Sequence, residues 1–578
     1  MKKTLAFYQI KYRSMLVSGT LTMAIVCVML ITDSVIAGQM FGHMGASAVN
    51  IVMPLVGFSV FVSACIPEGL AILYTRAIGA MDREKANRLF GMGLIASAVL
   101  AAVMALLVMG IRETYFRHCG ASGMLLQYAQ EYYAYLPLYA FLLPLSSYIE
   151  QMVYSDGDEK LEAVAYTVQI AGNVVLSVLL ANAIGISGIM LGSVFGYLIS
   201  ILIMAIHFLK KSNTLHFVPW FSLKALLKCL KLSITDAVVY LLWGIMDFVL
   251  IRYITQNHGE QYLAILVVIY SLVEMSAVFD GIGMAIQPLI SVYFGEKNYT
   301  MIRRLMKEAI RTAFAEGVIA TALAIVFAPQ LARLFGIADE AMLAPAVRAI
   351  RIVATTLTVT SLFMLATSYY LYIDRVWLSV GALILKDGVA CTLMPIVFSR
   401  LFGVDGLWMG FALAPLAGFG ASMLMIYLMR GRERFPWLIK NNEKDTFVYD
   451  AQLTWKNMMK AALSIQAQME GHGYSKRDAL MASLFAEEIS ATLLEVNGDD
   501  DVVVEYSLLF AGNSVRQIIR DSGIVFDVTD PELKITGLSS FVINRLLNAK
   551  EDKDYIPTVG YNRNLIRFEK VYNRAESQ

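Results

Sequence analysis

The sequence predicts an α-helical polytopic membrane protein: twelve spans arranged as two six-helix bundles (parallel repeats), followed by a C-terminal cytoplasmic α+β domain. Three observations predict it: twelve long apolar runs, a duplication of loop motifs between the two halves, and an abrupt rise in charge near residue 436. The 578 residues are 58% hydrophobic and 16% charged, with a mean hydropathy of +0.61. Soluble domains average about 45–50% apolar and about 25% charged, so an ordinary soluble enzyme, a collagen, a coiled coil and a disordered chain are all excluded. A formal net charge of +1 offers nucleic acid no electrostatic hold. The average conceals a split. Residues 1–436 carry 31 Lys/Arg and 25 Asp/Glu, whereas residues 437–578 carry 16 and 21, about twice the density and the level of a soluble domain. The expected units are therefore 1–220, 221–436 and 437–578.

A membrane-spanning helix needs about 20 mostly apolar residues to cross about 30 Å of hydrocarbon. Such runs fall at 15–37, 48–75, 90–110, 130–153, 162–182, 187–208, 232–254, 262–293, 310–330, 347–373, 377–399 and 404–429. The first lacks a small-residue cleavage site and reads as a retained span rather than a signal peptide. With the N-terminus inside, the inner segments hold 23 Lys/Arg and the outer ones seven. Positive charge stays on the cytoplasmic side, so both termini are expected there, in a multi-pass protein of the cytoplasmic (inner) membrane. Cys27, Cys65, Cys119, Cys229 and Cys391 are scattered, without zinc-ligand or disulfide spacing.

The two halves repeat. The stretch Ile78-Gly-Ala-Met-Asp-Arg-Glu-Lys-Ala-Asn-Arg-Leu89 aligns with Phe294-Gly-Glu-Lys-Asn-Tyr-Thr-Met-Ile-Arg-Arg-Leu305 at an offset of 216, which also pairs Asp158 with Asp374. An offset of 214 pairs Asp33 with Asp247 and Gly45 with Gly259, and 218 pairs Gly188 and Gly192 with Gly406 and Gly410. Six spans per repeat gives both repeats one topology, two parallel bundles with a path between them, which favours a carrier over a channel.

These loops, with Ser155-Asp-Gly-Asp-Glu-Lys160, Asn173 and Gly185 to Gly188, resemble the multidrug and toxic compound extrusion (MATE) transporters over residues 10–430. The resemblance implies a V-shaped pair of bundles exporting organic cations or drug-like compounds, driven by a proton or sodium gradient. A carboxylate deep in a span costs about 2.5–3.5 kcal/mol on insertion scales and is a functional candidate by default. Asp33 matches the span-1 aspartate used by the family's proton-coupled branch. Asp247, Glu274, Asp280 and Asp387 are further candidates for ion coupling or the substrate cavity, and Asp236 is another. Asp387 follows Lys386 and has an ion pair as its plain alternative. Glu68 and Glu150 read as polar packing residues. The family's sodium-coupled branch uses acidic residues in spans 7 and 10. Run 347–373 holds no carboxylate, which favours H⁺ over Na⁺. No metal site is expected.

The tail shows helical periodicity over 452–470 and 476–495, and strand patterning over 502–509, 514–520 and 565–571. Ala486-Glu-Glu-Ile-Ser-Ala-Thr492, Asp521-Ser-Gly-Ile-Val-Phe-Asp527 and Gly537-Leu-Ser-Ser540 resemble the motifs of histidine-kinase-like (GHKL) ATPases, most closely the compact serine-kinase, anti-sigma-factor type. The resemblance implies an ATP and Mg²⁺ site at Glu488, Thr492, Asp521, Gly523 and Gly537. Thr492 stands where the family has an asparagine on Mg²⁺, and the second glycine after Gly537 is missing, so weakened or lost nucleotide binding and no catalysis are expected. A Walker phosphate-binding loop is absent.

Together these readings predict a proton-coupled secondary antiporter, not an enzyme, with a regulatory or nucleotide-sensing tail and a cytoplasmic regulatory protein as a candidate partner. Membrane lipid surrounds the spans. The alternatives are a flippase for a lipid-linked precursor and a membrane-anchored signalling protein acting through its tail.

Overall fold

The computed structural model describes residues 5–118, 123–259, 261–334, 337, 340–430, 436–439, 443–498, 501–525, 553–555 and 561–569. The side chains of Asp236 and Asp247, and all of Asp527 and Gly537–Ser540, lie outside the described residues. Helix covers each apolar run of the sequence. In the first half it runs as α1 (Phe7–Ala64), α2 (Pro67–Gly79), α3 (Arg83–His118), α4 (Gly123–Tyr133), α5 (Leu136–Ser155), α6 (Glu159–Ile184) and α7 (Ser187–Met204). The second half has α8 (Leu223–Asn257), α9 (Gln261–Met275), α10 (Asp280–Glu296), α11 (Tyr299–Val326), α12 (Ala328–Leu334), α13 (Glu340–Ala354), α14 (Leu357–Tyr372), α15 (Val376–Leu383) and α16 (Cys391–Arg430). Among the described residues, seven helical segments are long and apolar enough to cross a membrane. They become eight if Met342–Ala354 and Leu357–Tyr372, bent by 44°, count as one span.

Several apolar runs are broken helices rather than straight ones. Run 48–75 divides at Cys65–Ile66 and run 130–153 at Ala134–Tyr135, in both cases just before a proline at the first or second position of the next helix. That is where a residue with fixed φ and no N–H is tolerated best.

The backbone carries the duplication more sharply than the side chains do. Left-handed residues recur in matching places: Gly42 (φ 67°) with Gly259 (φ 99°), Met81 (62°) with Lys297 (65°), Gly157 (97°) with Asp374 (66°), and Gly185 (77°) with Gly403 (66°). Two sequence pairings shift accordingly. The glycine equivalent to Gly259 is Gly42 rather than Gly45, and Asp374 corresponds to Gly157 rather than Asp158. Counted back from those turns, Asp33 lies nine residues away and Asp247 twelve, so Asp247 sits nearly one turn deeper than a true counterpart.

The halves meet where α2 crosses α10. A Cβ on Gly79 would stand 2.3 Å from the Val292 carbonyl oxygen, and one on Gly295 would stand 2.4 Å from that of Arg76. Both contacts are related by the same offset of 216, so the two backbones lie against each other across the pseudo-twofold axis. Arg76 reinforces the junction. It donates to the Tyr372 carbonyl at 2.6 Å, pairs with Asp374 at 3.4 Å and sits over the Phe294 ring at 5.1 Å.

After the helices, β1 (Thr446–Gln452), α17 (Trp455–Gly471), α18 (Lys476–Asn497), β2 (Val503–Ala511), β3 (Ser514–Asp521), β4 (Lys553–Tyr555) and β5 (Asn562–Glu569) build an antiparallel sheet of order β1-β2-β3-β5-β4. Sequence patterning located both helices and β2, β3 and β5. It missed β1, whose residues are all half-buried and show no inside-outside contrast, and the three-residue β4. One sheet face packs Tyr506, Val515, Ile519, Ile566 and Phe568 on α17 and α18. The other face lies against the membrane helices: Val503 and Tyr561 join the core of α1, α10, α11 and α14, and Leu509, Ile518 and Leu565 pack on Met81.

Gly295→Leu is expected to lower stability by about 1–3 kcal/mol, the usual cost of overpacking. Gly420→Leu, where no atom lies within 4 Å of an added Cβ, is expected to be neutral. Thermal midpoints of the purified variants check both.

Candidate functional site

Polar side chains inside the first bundle converge on Asp33. The Tyr132 hydroxyl, on α4, donates to its carboxylate at 2.7 Å, and the Ser193 hydroxyl, on α7, lies at 3.3 and 3.4 Å from the two oxygens. Asn173 on α6 donates to Ser193 at 2.9 Å and accepts from Ser177 at 3.0 Å. A cavity of about 210 Å³ opens beside this chain, between α1, α4, α5, α6 and α7. Its other polar walls include Glu150, Tyr166 and Gln169, and the Tyr139 and Tyr197 rings meet edge-on at 5.5 Å. No Lys, Arg or His is among the described lining residues, so the cavity presents acids, hydroxyls and aromatic rings.

Glu150, expected to be a packing residue, is a wall of the same cavity. Ser146 and Ser200 donate to it at 2.5 and 2.9 Å. Read alone, its stretch of sequence cannot reveal this, because the partners come from another turn of α5 and from α7. A signal for the α6 wall is present: Glu162, Gln169, Asn173 and Ser177 fall on one buried helical face. Glu162 accepts from Thr22 at 3.2 Å and Ser18 at 3.4 Å, a polar seam between α1 and α6.

The remaining candidates with described side chains, Asp387, Glu274 and Asp280, are not gathered around Asp33. Asp387 lies in the second half, in a π-helical turn (Ile384–Ala390), paired with Lys386 at 2.9 Å. The Lys386 ammonium sits 5.0 Å from the Phe363 ring, so the ion-pair alternative describes this residue. A cavity of about 50 Å³ touches both, with Tyr270, Ser276 and Thr360. Glu274 on α9 and Asp280, the first residue of α10, line neither of these two cavities. Glu316 on α11 was missed. It is the lone carboxylate of run 310–330 and borders an apolar cavity of about 600 Å³ with Leu272, Met275 and Phe279. The 155–160 motif is structural: Asp156 accepts from the Tyr74 hydroxyl at 2.8 Å and the Thr214 N–H at 2.9 Å, and Lys11 pairs with Glu159 at 2.8 Å.

In the tail, Asp521 ends β3 fully buried. Its Oδ1 accepts from the Asn562 amide at 2.7 Å and the Gly523 N–H at 3.1 Å, while Oδ2 has no hydrogen-bond partner among the described residues. Gly523 is backed by Asn497: an added Cβ would lie 2.6 Å from its side-chain oxygen. Asn497, which sequence reading passed over, also accepts from the Ile524 N–H at 2.7 Å. Thr492 is wholly buried and donates to the Glu488 carbonyl of its own helix at 2.9 Å.

The family model MatE matches residues 20–179 and 237–384, more than half of the chain and both repeats. The chain belongs to the MatE family. MatE proteins are transporters rather than enzymes, and this one is an integral membrane protein. The multidrug export protein MepA of Staphylococcus saprophyticus subsp. saprophyticus is 22% identical over 396 residues, which cover 67% of this chain and 86% of that protein. Among solved structures, an outward-facing multidrug resistance MATE family transporter of the MOP superfamily matches with a TM-score of 0.67 at 20% identity, covering 74% of this chain and all of that one. A MOP superfamily transporter from Pyrococcus furiosus, described by the reverse polarity of its binding pocket as suggesting a different function, matches with a TM-score of 0.65 at 20% identity, covering 75% of this chain and 100% of that one. At these identities the likeness is one of fold. The Asp33 cluster lies within the MatE-matched residues apart from Ser193, Ser200 and Tyr197; the tail lies beyond them.

Burial pushes the Asp521 carboxyl up to about 7, against the pull of the Asn562 and Gly523 hydrogen bonds. Burial, with Glu505 beside it, does the same to Asp450, also to about 7. Both hold a proton more tightly in the folded tail than in the unfolded chain. Their stabilisation is complete below the ordinary carboxylate range and is lost as pH rises through about 7. The tail's thermal midpoint is expected to fall from acid to neutral pH, with a flatter profile in Asp521→Asn and Asp450→Asn.

Proposed function

We propose that this chain is a secondary antiporter that exports drug-like organic cations in exchange for protons. Its twelve spans form two six-helix bundles, 1–220 and 221–436, in the cytoplasmic membrane, with both termini and the 437–578 domain cytoplasmic. The observation that carries the reading is the Asp33 cavity. It is walled by carboxylates, tyrosines and amides and lacks a basic side chain among its described lining residues. Such a wall suits a flat organic cation, which gains from aromatic faces as well as from charge. It also suits proton exchange, because a carboxylate held by two hydroxyls can switch between charged and neutral forms without losing every partner. MepA's description as a multidrug export protein supports the substrate class. The absence of a carboxylate from run 347–373 supports H⁺ over Na⁺. A basic cavity, which a flippase for an anionic lipid precursor would favour, is not what surrounds Asp33.

For the tail, the reading is a GHKL-like regulatory domain. The buried Asp521 Oδ2 beside Gly523, without a partner among the described residues, is where the resemblance puts the adenine amino group. Thr492, a buried hydroxyl where the resemblance expects a Mg²⁺-binding amide, supports sensing without hydrolysis. In the full chain, a fluorescent ATP analogue is expected to bind weakly, and Asp521→Ala is expected to abolish that binding.

The central test is proton-driven dye uptake into everted membrane vesicles. Asp33→Asn is expected to cut uptake by about 5- to 150-fold, the range of a coupling free energy between two ligands. Uptake equal to wild type across the pH range would overturn the Asp33 mechanism.

A further inference from the structure

We propose that the tail sheet is a clamp on the cytoplasmic ends of the two halves, and that it must lift before that side of the transporter can open. The inference rests on the transport reading above and specifies how the tail would regulate it.

One guanidinium spans both halves. Arg563 on β5 donates to the carbonyls of Ile78 and Gly79, at the C-terminal end of α2, at 2.7 and 2.8 Å. The same group pairs with Glu296, at the C-terminal end of α10, at 2.9 Å. Arg520 on β3 pairs with Glu296 and with Glu505 on β2, and Arg516 donates to the Glu296 backbone carbonyl at 2.5 Å. Glu296, Glu505, Arg520 and Arg563 are all wholly buried. The Tyr293 ring lies 5.2 Å from the Arg520 guanidinium.

The two helix ends held this way are repeat equivalents, Gly79 and Gly295, and they already touch through their backbones. Cations at helix C-termini are favourable in themselves. The larger effect is that separating α2 from α10 with the sheet in place would strand a buried carboxylate or guanidinium without its counter-charge. Further contacts tie the sheet and its linker to both halves. Phe7 donates its N–H to Asp450 at 3.2 Å and meets the Tyr561 ring at 4.8 Å; the Tyr369 hydroxyl donates to the Trp437 carbonyl at 2.6 Å, and that of Tyr370 to the Pro436 carbonyl at 3.0 Å.

Strand alternation sets the candidate ligand site back to back with this clamp. Arg520 faces Arg563 in the register, and the next pair, Asp521 with Asn562, points to the opposite face of the sheet. One peptide unit separates Arg520 from Asp521, and one separates Arg563 from Asn562.

Two experiments on the full chain test the clamp. In the first, Met81→Cys with Leu565→Cys is joined by a short bismaleimide, with the single variants as controls. The unlinked pair is expected to take up dye, and the linked pair to lose uptake about tenfold or more. Linked protein that transports as well as unlinked protein overturns the clamp, whereas unlinked protein that takes up no dye overturns the transport reading instead. The second does not depend on a substrate. In Arg563→Gln, amide hydrogen exchange is expected to quicken about tenfold in β5 and also at both helix ends, 76–81 and 292–297. Exchange that quickens in β5 alone means the sheet merely rests on the helices, and the clamp is wrong.

Discussion

At the crossing of α2 and α10, two helices approach so closely that neither Gly79 nor Gly295 leaves room for a methyl group. That approach brings two helix C-termini, with their unpaired carbonyls, to one place beneath the tail sheet. Carbonyls at a helix end need donors, and a carboxylate at Glu296 needs a counter-charge. Arg563 and Arg520 supply both from a separate sheet. The fold of the tail, the meeting of the halves and the pairing of four buried charges therefore form one arrangement. Two carboxylates and two guanidinium groups leave it formally neutral, which is what permits such burial.

The membrane half follows the same rule with weaker partners. Asp33 and Glu150 are held by hydroxyls instead of cations. Hydroxyl partners satisfy a carboxylate without neutralising it, so its charge stays available to a visiting proton or cation. Asp387 shows the contrast. With Lys386 at 2.9 Å its charge is already spoken for, and its π-helical turn reads as a packing device in the second bundle. Two acids deep in helices thus sit in different electrostatic settings because of one neighbouring side chain.

Much of this was legible in the chain. Hydropathy located the helical runs, because a run of about 20 apolar residues has few other stable fates. The shared loop motifs revealed the duplication, and the change in charge density revealed the tail. Asp33 stood out as a lone carboxylate in an apolar run. Its partners did not: Tyr132, Ser193 and Asn173 lie 99 to 160 residues away, and single hydroxyls and amides are common in any helix. The true repeat register was likewise hidden. Left-handed turns at Gly42 and Gly259 define it, and a sequence comparison weighs nearby Gly45 equally.

The sequence by itself determined which segments are helical and apolar, that they are duplicated, that a charged α and β segment follows, and which carboxylates are costly enough to need a reason. These are local properties, set by side-chain hydrophobicity and periodicity within a few turns. Only the tertiary structure decided that Glu150 shares a cavity with Asp33 and that Arg516, Arg520 and Arg563, ordinary strand arginines in the sequence, reach over to Glu296. Those outcomes depend on contacts between residues more than 100 positions apart, and for the arginines the stabilisation comes from burying charges together, which no single segment encodes.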